Sequence, residues 1–124
     1  MKRVLVIDDA TTVRMYYRQV LEAQGFAVEE AANGYEGLEK ALMESFDLYI
    51  VDINMPKMDG YTLLRSIRQE PAICATPAIM ISTEGQVQDA NAAYAAGANL
   101  YFNKPVKPDV LALTVRMLTG EKPT

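Results

Sequence analysis

The sequence predicts an α/β protein in which five parallel strands form one doubly wound sheet with helices on both faces. Three observations lead there. Short β-branched runs alternate with longer segments of helical periodicity, five times over. The connections between them are short. The first strand-like run is β-branched and apolar without alternation, as a strand covered on both faces is.

Each element has its own signal. "RVLVID" is a β-branched run ending in acids, the first strand. From Thr12 to Gln24, Val13, Tyr16, Tyr17, Val20 and Leu21 recur at helical spacing, with Thr11 or Thr12 as cap and Gly25 as stop. "FAVEEA" is a shorter second strand. "ANGYEG" brings a turn at Asn33-Gly34, then a helix to about Ser45 with Leu38, Ala41 and Leu42 inward. "DLYIVD" is the third and most apolar strand, with Asp47 at its start. Asp59-Gly60 turns the chain into a helix reaching about Gln69, with Leu63, Leu64 and Ile67 inward. "PAICATP" reads as loop and "AIMIS" as the fourth strand. "QVQDANAAYAAG" is an Ala-rich helix closed by Gly97, and "NLYFN" is the fifth strand. "KPDVLALTVRML" is the last helix with Pro108 at its first position, and "TGEKPT" is a tail.

The 124 residues fit one domain, 1–124, with a short tail from about 120. Half the residues are hydrophobic, enough for a sizeable core. The single cysteine, Cys74, forms no internal disulfide and receives no role. The net charge of -4 argues against nonspecific nucleic-acid or membrane binding. No apolar run approaches the roughly 20 residues of a membrane span, and Val4–Ile7 is too short for a secretory core. A soluble, cytoplasmic protein is expected.

The chain has no histidine, which removes Ser-His-Asp and Cys-His catalysis and histidine-held metals. A metal would have to sit on oxygen, which suits a hard cation such as Mg²⁺. Neither GxxxxGK[ST] nor GxGxxG occurs, so no familiar nucleotide loop is present.

In an open parallel sheet, ligands bind beyond the carboxyl ends of the strands. There the first strand carries Asp8-Asp9, the third Asp52, the fourth Ser82-Thr83, and the fifth is followed by Lys104. Three carboxylates at one rim repel one another and raise each other's pKa unless compensated. A divalent cation and one lysine would balance them, which gives a physical reason for this set to meet. The plainer alternative makes each acid an ordinary strand-end or cap residue. It suits Asp9 alone better than it suits three acids, a hydroxyl and a lysine at the ends of four strands.

These residues resemble a known family. "VLVIDDATTVR", "DLYIVDINMPKMDG", "IMISTEG" and "YFNKP" are similar to the motifs of bacterial two-component receiver domains, in order and spacing, across essentially the whole chain. The likeness is greatest to stand-alone chemotaxis regulators of the CheY type. The resemblance implies the flavodoxin-like strand order 2-1-3-4-5. It implies that Asp52 accepts a phosphoryl group and that Mg²⁺ is held by Asp9, Asp52 and the Asn54 carbonyl directly and by Asp8 through water. It further implies that Lys104 and Ser82 contact the phosphoryl oxygens, and that Ser82 and Tyr101 form the switch. Asn54 and Glu84, each two residues beyond an implied phosphoryl contact, are candidates to set phosphoryl lifetime. Lys104-Pro105 is a candidate cis peptide, with trans the default for any X-Pro bond.

The implied donor is a sensor histidine kinase or histidine phosphotransfer protein, with Met15 and Tyr16 as a candidate docking patch. An effector would bind the face of helix four, strand five and helix five. A monomer is expected, without nucleic acid or membrane insertion, acting on nothing but its own phosphorylation and dephosphorylation. Motility signalling, a phosphorelay intermediate and a phosphate sink all suit the implied output. Two other families share parts of the pattern. A flavin mononucleotide carrier needs a hydroxyl- and glycine-rich phosphate loop where this chain has "DDATT". A haloacid-dehalogenase phosphatase needs DxD where this chain has Ala10.

Overall fold

A computed structural model describes residues 1–83 and 87–121. Strands and helices alternate along the chain: β1 (Arg3–Ile7), α1 (Thr11–Glu22), β2 (Ala27–Ala31), α2 (Gly34–Met43), β3 (Leu48–Asp52), α3 (Gly60–Arg68), β4 (Ala78–Ser82), α4 (Val87–Ala96), β5 (Leu100–Asn103) and α5 (Pro108–Thr119). The strands are parallel, in the order β2-β1-β3-β4-β5. Every residue of β3 and β4 is buried, which explains the lack of alternation in their sequences.

Period-two geometry splits those apolar runs between two cores. Leu5, Ile7, Tyr49, Val51 and Met80 pack on one face with Leu63, Leu64 and Ile67 of α3 and Ala93 and Ala96 of α4. Val4, Val6, Ile50, Ile79 and Ile81 pack on the other with Tyr17 and Leu21 of α1 and Leu111 and Val115 of α5. Leu63, Leu64 and Ile67 are fully buried, each worth about 1.5–3 kcal/mol relative to exposure.

The helix ends show what sets each boundary. Asn33 is the N-cap of α2, accepting the Glu36 N–H at 2.9 Å. Asp59 caps α3, accepting the Thr62 N–H at 2.9 Å. Lys107 precedes Pro108 at the start of α5, and Gly120 ends that helix in the left-handed region. Neither Thr11 nor Thr12 caps α1. Its N-cap is Ala10, without a side-chain bond. The Asp8 carboxylate takes the Ala10 N–H, and the Thr11 hydroxyl receives Arg14. Leu42 is half exposed rather than inward, because Gly37 and Ala41 form the buried face of α2. Asp47 does more than start a strand: its carboxylate accepts the Arg3 N–H at 2.8 Å, fixing where β3 enters beside β1. Among the described residues, no helix is long and apolar enough to cross a membrane.

Candidate functional site

Parallel pairing brings the carboxyl ends of β1, β3, β4 and β5 to one rim. Asp8 and Asp9 follow the last residue of β1, and Asp52 is the last residue of β3. Carboxylate oxygens of the three lie within 4.8 Å of one another. Asp8 is 1% and Asp52 4% exposed, while Asp9 faces solvent. Asp52 is enclosed at the end of its strand, and its charge is met by a partner.

That partner is Lys104, just beyond β5. Its ammonium donates to Asp8 Oδ2 at 2.9 Å and to Asp52 Oδ1 at 3.3 Å. Burial pulls the ammonium down, but the hydrogen bond to Asp8 and the charges of Asp52 and Asp8 outweigh it, so its pKa stands above the ordinary lysine value. Asp52 moves the other way. Burial first, then the Asp8 charge, pushes its carboxyl up to about 6, against the opposing pull of Lys104 and the Asn54 N–H. One ammonium therefore serves two buried carboxylates, with a third acid beside them.

The hydroxyl side of the rim is equally organised. Ser82, the last residue of β4, is fully buried. The Asn54 amide donates to Ser82 Oγ at 3.0 Å, and the Asn54 backbone N–H donates to Asp52 Oδ1 at 3.3 Å. Tyr101 of β5 is half-buried against the α3–α4 side of the core, and its phenol donates to Asn103 Oδ1 at 3.0 Å. Lys104-Pro105 is cis. Glu84 lies outside the described residues.

Three features near the site were not read from the sequence: the bonds of Arg14, the close approach at Gly60 and the backbone of Lys57. Arg14 of α1 donates to the Asp8 carbonyl at 2.6 Å and pairs with Glu30 at 2.9 Å, tying the acidic loop to β2. Its place two residues past "DDATT", in the first turn of the following helix, was the available signal. Gly60 sits where a Cβ would lie 2.5 Å from the Asp52 carbonyl oxygen and 2.9 Å from Ile53 Cα. Lys57 adopts φ 71°, left-handed for a residue with a Cβ. No periodicity marks such a position.

The donor set consists of oxygens carrying more negative charge than Lys104 neutralises, in a site closed enough to make that excess costly. Such a set fits a hard divalent cation and would not suit a soft one. A nucleophilic carboxylate, a lysine and a hydroxyl around one point form a site for an incoming anion with several oxygens.

The chain is similar to known proteins. Residues 4–116 match the model of the response regulator receiver domain family. The chain is 35% identical over 116 residues to the transcriptional regulatory protein ResD of Bacillus subtilis (strain 168), covering 94% of this chain and 47% of that protein. It spans less than half the length of the curated relatives it matches first. Among solved structures, the chemotaxis protein CheY4 of Vibrio cholerae superposes with a TM-score of 0.90 at 34% identity, covering 95% of this chain and 98% of that one. A CheY-like receiver domain protein from Methanospirillum hungatei JF-1 gives 0.90 at 33% identity, covering 98% and 95%.

Proposed function

Because the chain belongs to the response regulator receiver domain family of two-component signalling, we propose that it takes a phosphoryl group from a phosphohistidine onto Asp52. A carboxylate oxygen of Asp52 attacks phosphorus. An O–P bond forms as the N–P bond breaks, and the electron pair returns to the donor's imidazole. The observation that carries this reading is the Lys104 bridge between Asp52 and Asp8, which puts a cation beside the nucleophile at the carboxyl ends of the strands. Lys104 would exchange Asp52 for the equatorial phosphoryl oxygens, and Ser82 would donate its hydroxyl to the same group. Both act by position and charge rather than as strong bases.

Asp8, Asp9, Asp52 and the Asn54 carbonyl are the residues that would hold Mg²⁺. Bound there, the ion would supply charge neutralisation for the acids and the transferred group. The chain would turn over no separate substrate, only its own phosphorylation and dephosphorylation, and Asn54 and Glu84 would set the phosphoryl lifetime. A half-life of hours for the phosphoprotein would remove that last role.

The donor would be a sensor histidine kinase or a histidine phosphotransfer protein. A cleft of about 420 Å³ lined by Thr12, Met15, Tyr16, Arg18 and Gln19 lies on α1, the helix that follows the acidic loop, and suits its docking. The output would run from Ser82 through the loop before α4 to Tyr101, a shift between two packings. The effector would bind the α4–β5–α5 face, where Tyr94, Val110, Leu113 and Met117 are exposed. Motility signalling is one output; a phosphate sink or relay intermediate is another. Incubation with Mg²⁺ and acetyl phosphate, followed by intact mass, tests the acceptor: wild type should gain one phosphoryl group and Asp52→Asn none. No gain in the wild type, with acetyl phosphate and with a phosphorylated kinase alike, would sink the reading. Recovery of a motor-switch protein on the phosphorylated form alone would favour motility.

A further inference from the structure

The acidic loop between β1 and α1 has little reason of its own to hold its shape. One carboxylate oxygen from each of Asp8, Asp9 and Asp52 lies within 4.8 Å of the others, and Asp9 faces solvent. Swinging outward would lower that repulsion. The main chain of the loop is fixed instead. The Asp8 N–H donates to the Ala31 carbonyl at the end of β2 at 3.1 Å. The Asp8 carbonyl accepts Arg14 Nη1 at 2.6 Å. That carbonyl belongs to the planar peptide joining Asp8 to Asp9, so its orientation sets the direction in which the chain delivers Asp9. Arg14 is itself held. Its Nε donates to Glu30 Oε1 at 2.9 Å and its Nη2 to the Thr11 hydroxyl at 3.3 Å. The second oxygen of Glu30 accepts Arg18 Nε at 2.7 Å, and the Glu30 carbonyl accepts the Lys40 ammonium of α2. Glu30 is thereby fixed from both α1 and α2. With 13% of its side chain exposed, Arg14 is a bracket within the fold and not a free surface charge.

We propose that Arg14, locked by Glu30, is a positioning residue for the cation site: it fixes the Asp8–Asp9 peptide and so keeps the acids converged before an ion arrives. Arg14 acts through the Asp8 carbonyl and touches no ion. This rests on Asp8, Asp9 and Asp52 being the acids that hold Mg²⁺. Ligands already in place have less freedom to lose on binding, so the ion is held more tightly. The charge of the guanidinium works the other way. A positive group beside the loop repels a cation, and by charge alone its removal would tighten Mg²⁺. The sign of the effect therefore separates positioning from electrostatics.

The test is Mg²⁺ affinity, titrated on the folded protein through the amide chemical shifts of Asp9 and Asn54, with urea melts in chelator to confirm that each variant is folded. Arg14→Met should weaken Mg²⁺ about tenfold, the low end of what the outer partners of metal ligands are worth. Arg14→Lys keeps the charge but loses the planar fork that reaches three acceptors, so it should weaken binding as well. Glu30→Gln loosens Arg14 without removing it. It should weaken binding in the wild-type background and add nothing in Arg14→Met. Asn33→Ala loses the α2 cap, and with it stability, but touches neither Arg14 nor the acids; it should keep the wild-type affinity. Three results overturn the proposal and leave the ion site standing: Arg14→Met binding Mg²⁺ as tightly as wild type or more tightly, wild-type affinity in Arg14→Lys, or an equal loss in Asn33→Ala. Where Arg14→Met does not fold, Arg14→Lys and Asn33→Ala decide between the same outcomes. A wild-type protein whose Asp9 and Asn54 amides do not respond to Mg²⁺ overturns the ion site and the proposal together.

Discussion

Asp52 has two environments to reconcile: a nearly closed pocket shared with Asp8, and a single ammonium that serves both. Its carboxyl stands at about 6 against an ordinary value of 3.8. A carboxyl raised in the folded state binds its proton more tightly there than in the unfolded chain. Its contribution to stability is complete below the unfolded value and is lost as pH rises through the folded one. Metal-free protein should therefore lose stability between pH 3.8 and about 6 through this group. Asp52→Asn should remove that slope and be more stable than wild type above that window, by about 1 kcal/mol once the Lys104 counter-charge is allowed for. Urea melts in a chelator across pH check it, and an unchanged slope in the variant would count against the assignment. A second strained group is Lys57, whose left-handed backbone costs a side chain about 1–2 kcal/mol. Glycine loses part of that gain to its larger unfolded entropy. Lys57→Gly should accordingly stabilise by about 0.5 kcal/mol in the same melts.

Among the elements, α3 has its start fixed by the site and its body by the core. Asp59 caps it, Leu63, Leu64 and Ile67 bury it, and Gly60 lets its first turn lie against the Asp52 and Ile53 backbone. The pattern of apolar residues made the helix legible, and Asp-Gly made its start legible. The contact that demands glycine was not legible, because it is a backbone approach from another strand. Gly60→Ala would place a Cβ 2.5 Å from the Asp52 carbonyl oxygen. Relief requires moving either α3 or the tip of β3. The substitution should cost about 1–3 kcal/mol and slow phosphoryl uptake at the same time, measured by denaturation and by the mass assay. Wild-type stability would show that the helix can shift without harm. The start of α1 illustrates the opposite case. Two threonines signalled a cap, yet Asp8 and Arg14 already engage that turn.

The whole molecule gathers negative charge at one rim of a sheet whose middle strands are sealed on both faces. A ligand that relieves this repulsion binds the folded form and stabilises it. Mg²⁺ at about 100 times its Kd should add about 2.7 kcal/mol to unfolding, and Asp9→Asn or Asp52→Asn should reduce the gain; melts with Mg²⁺ and with chelator measure it. An equal gain in those variants would place the ion elsewhere. By itself, the sequence determined the alternation of elements, the parallel sheet and the residues at its carboxyl ends. Period and strand polarity are local properties of a chain, and in a parallel sheet they assign Asp8, Asp9, Asp52, Ser82 and Lys104 to the same edge. Tertiary structure alone decided how those groups engage one another. It closed the pocket over Asp52, shared Lys104 between two acids, recruited Arg14 and joined Asn54 to Ser82. Burial, hydrogen bonding and charge balance depend on distances between segments remote in the chain, and those distances exist only once the strands have paired.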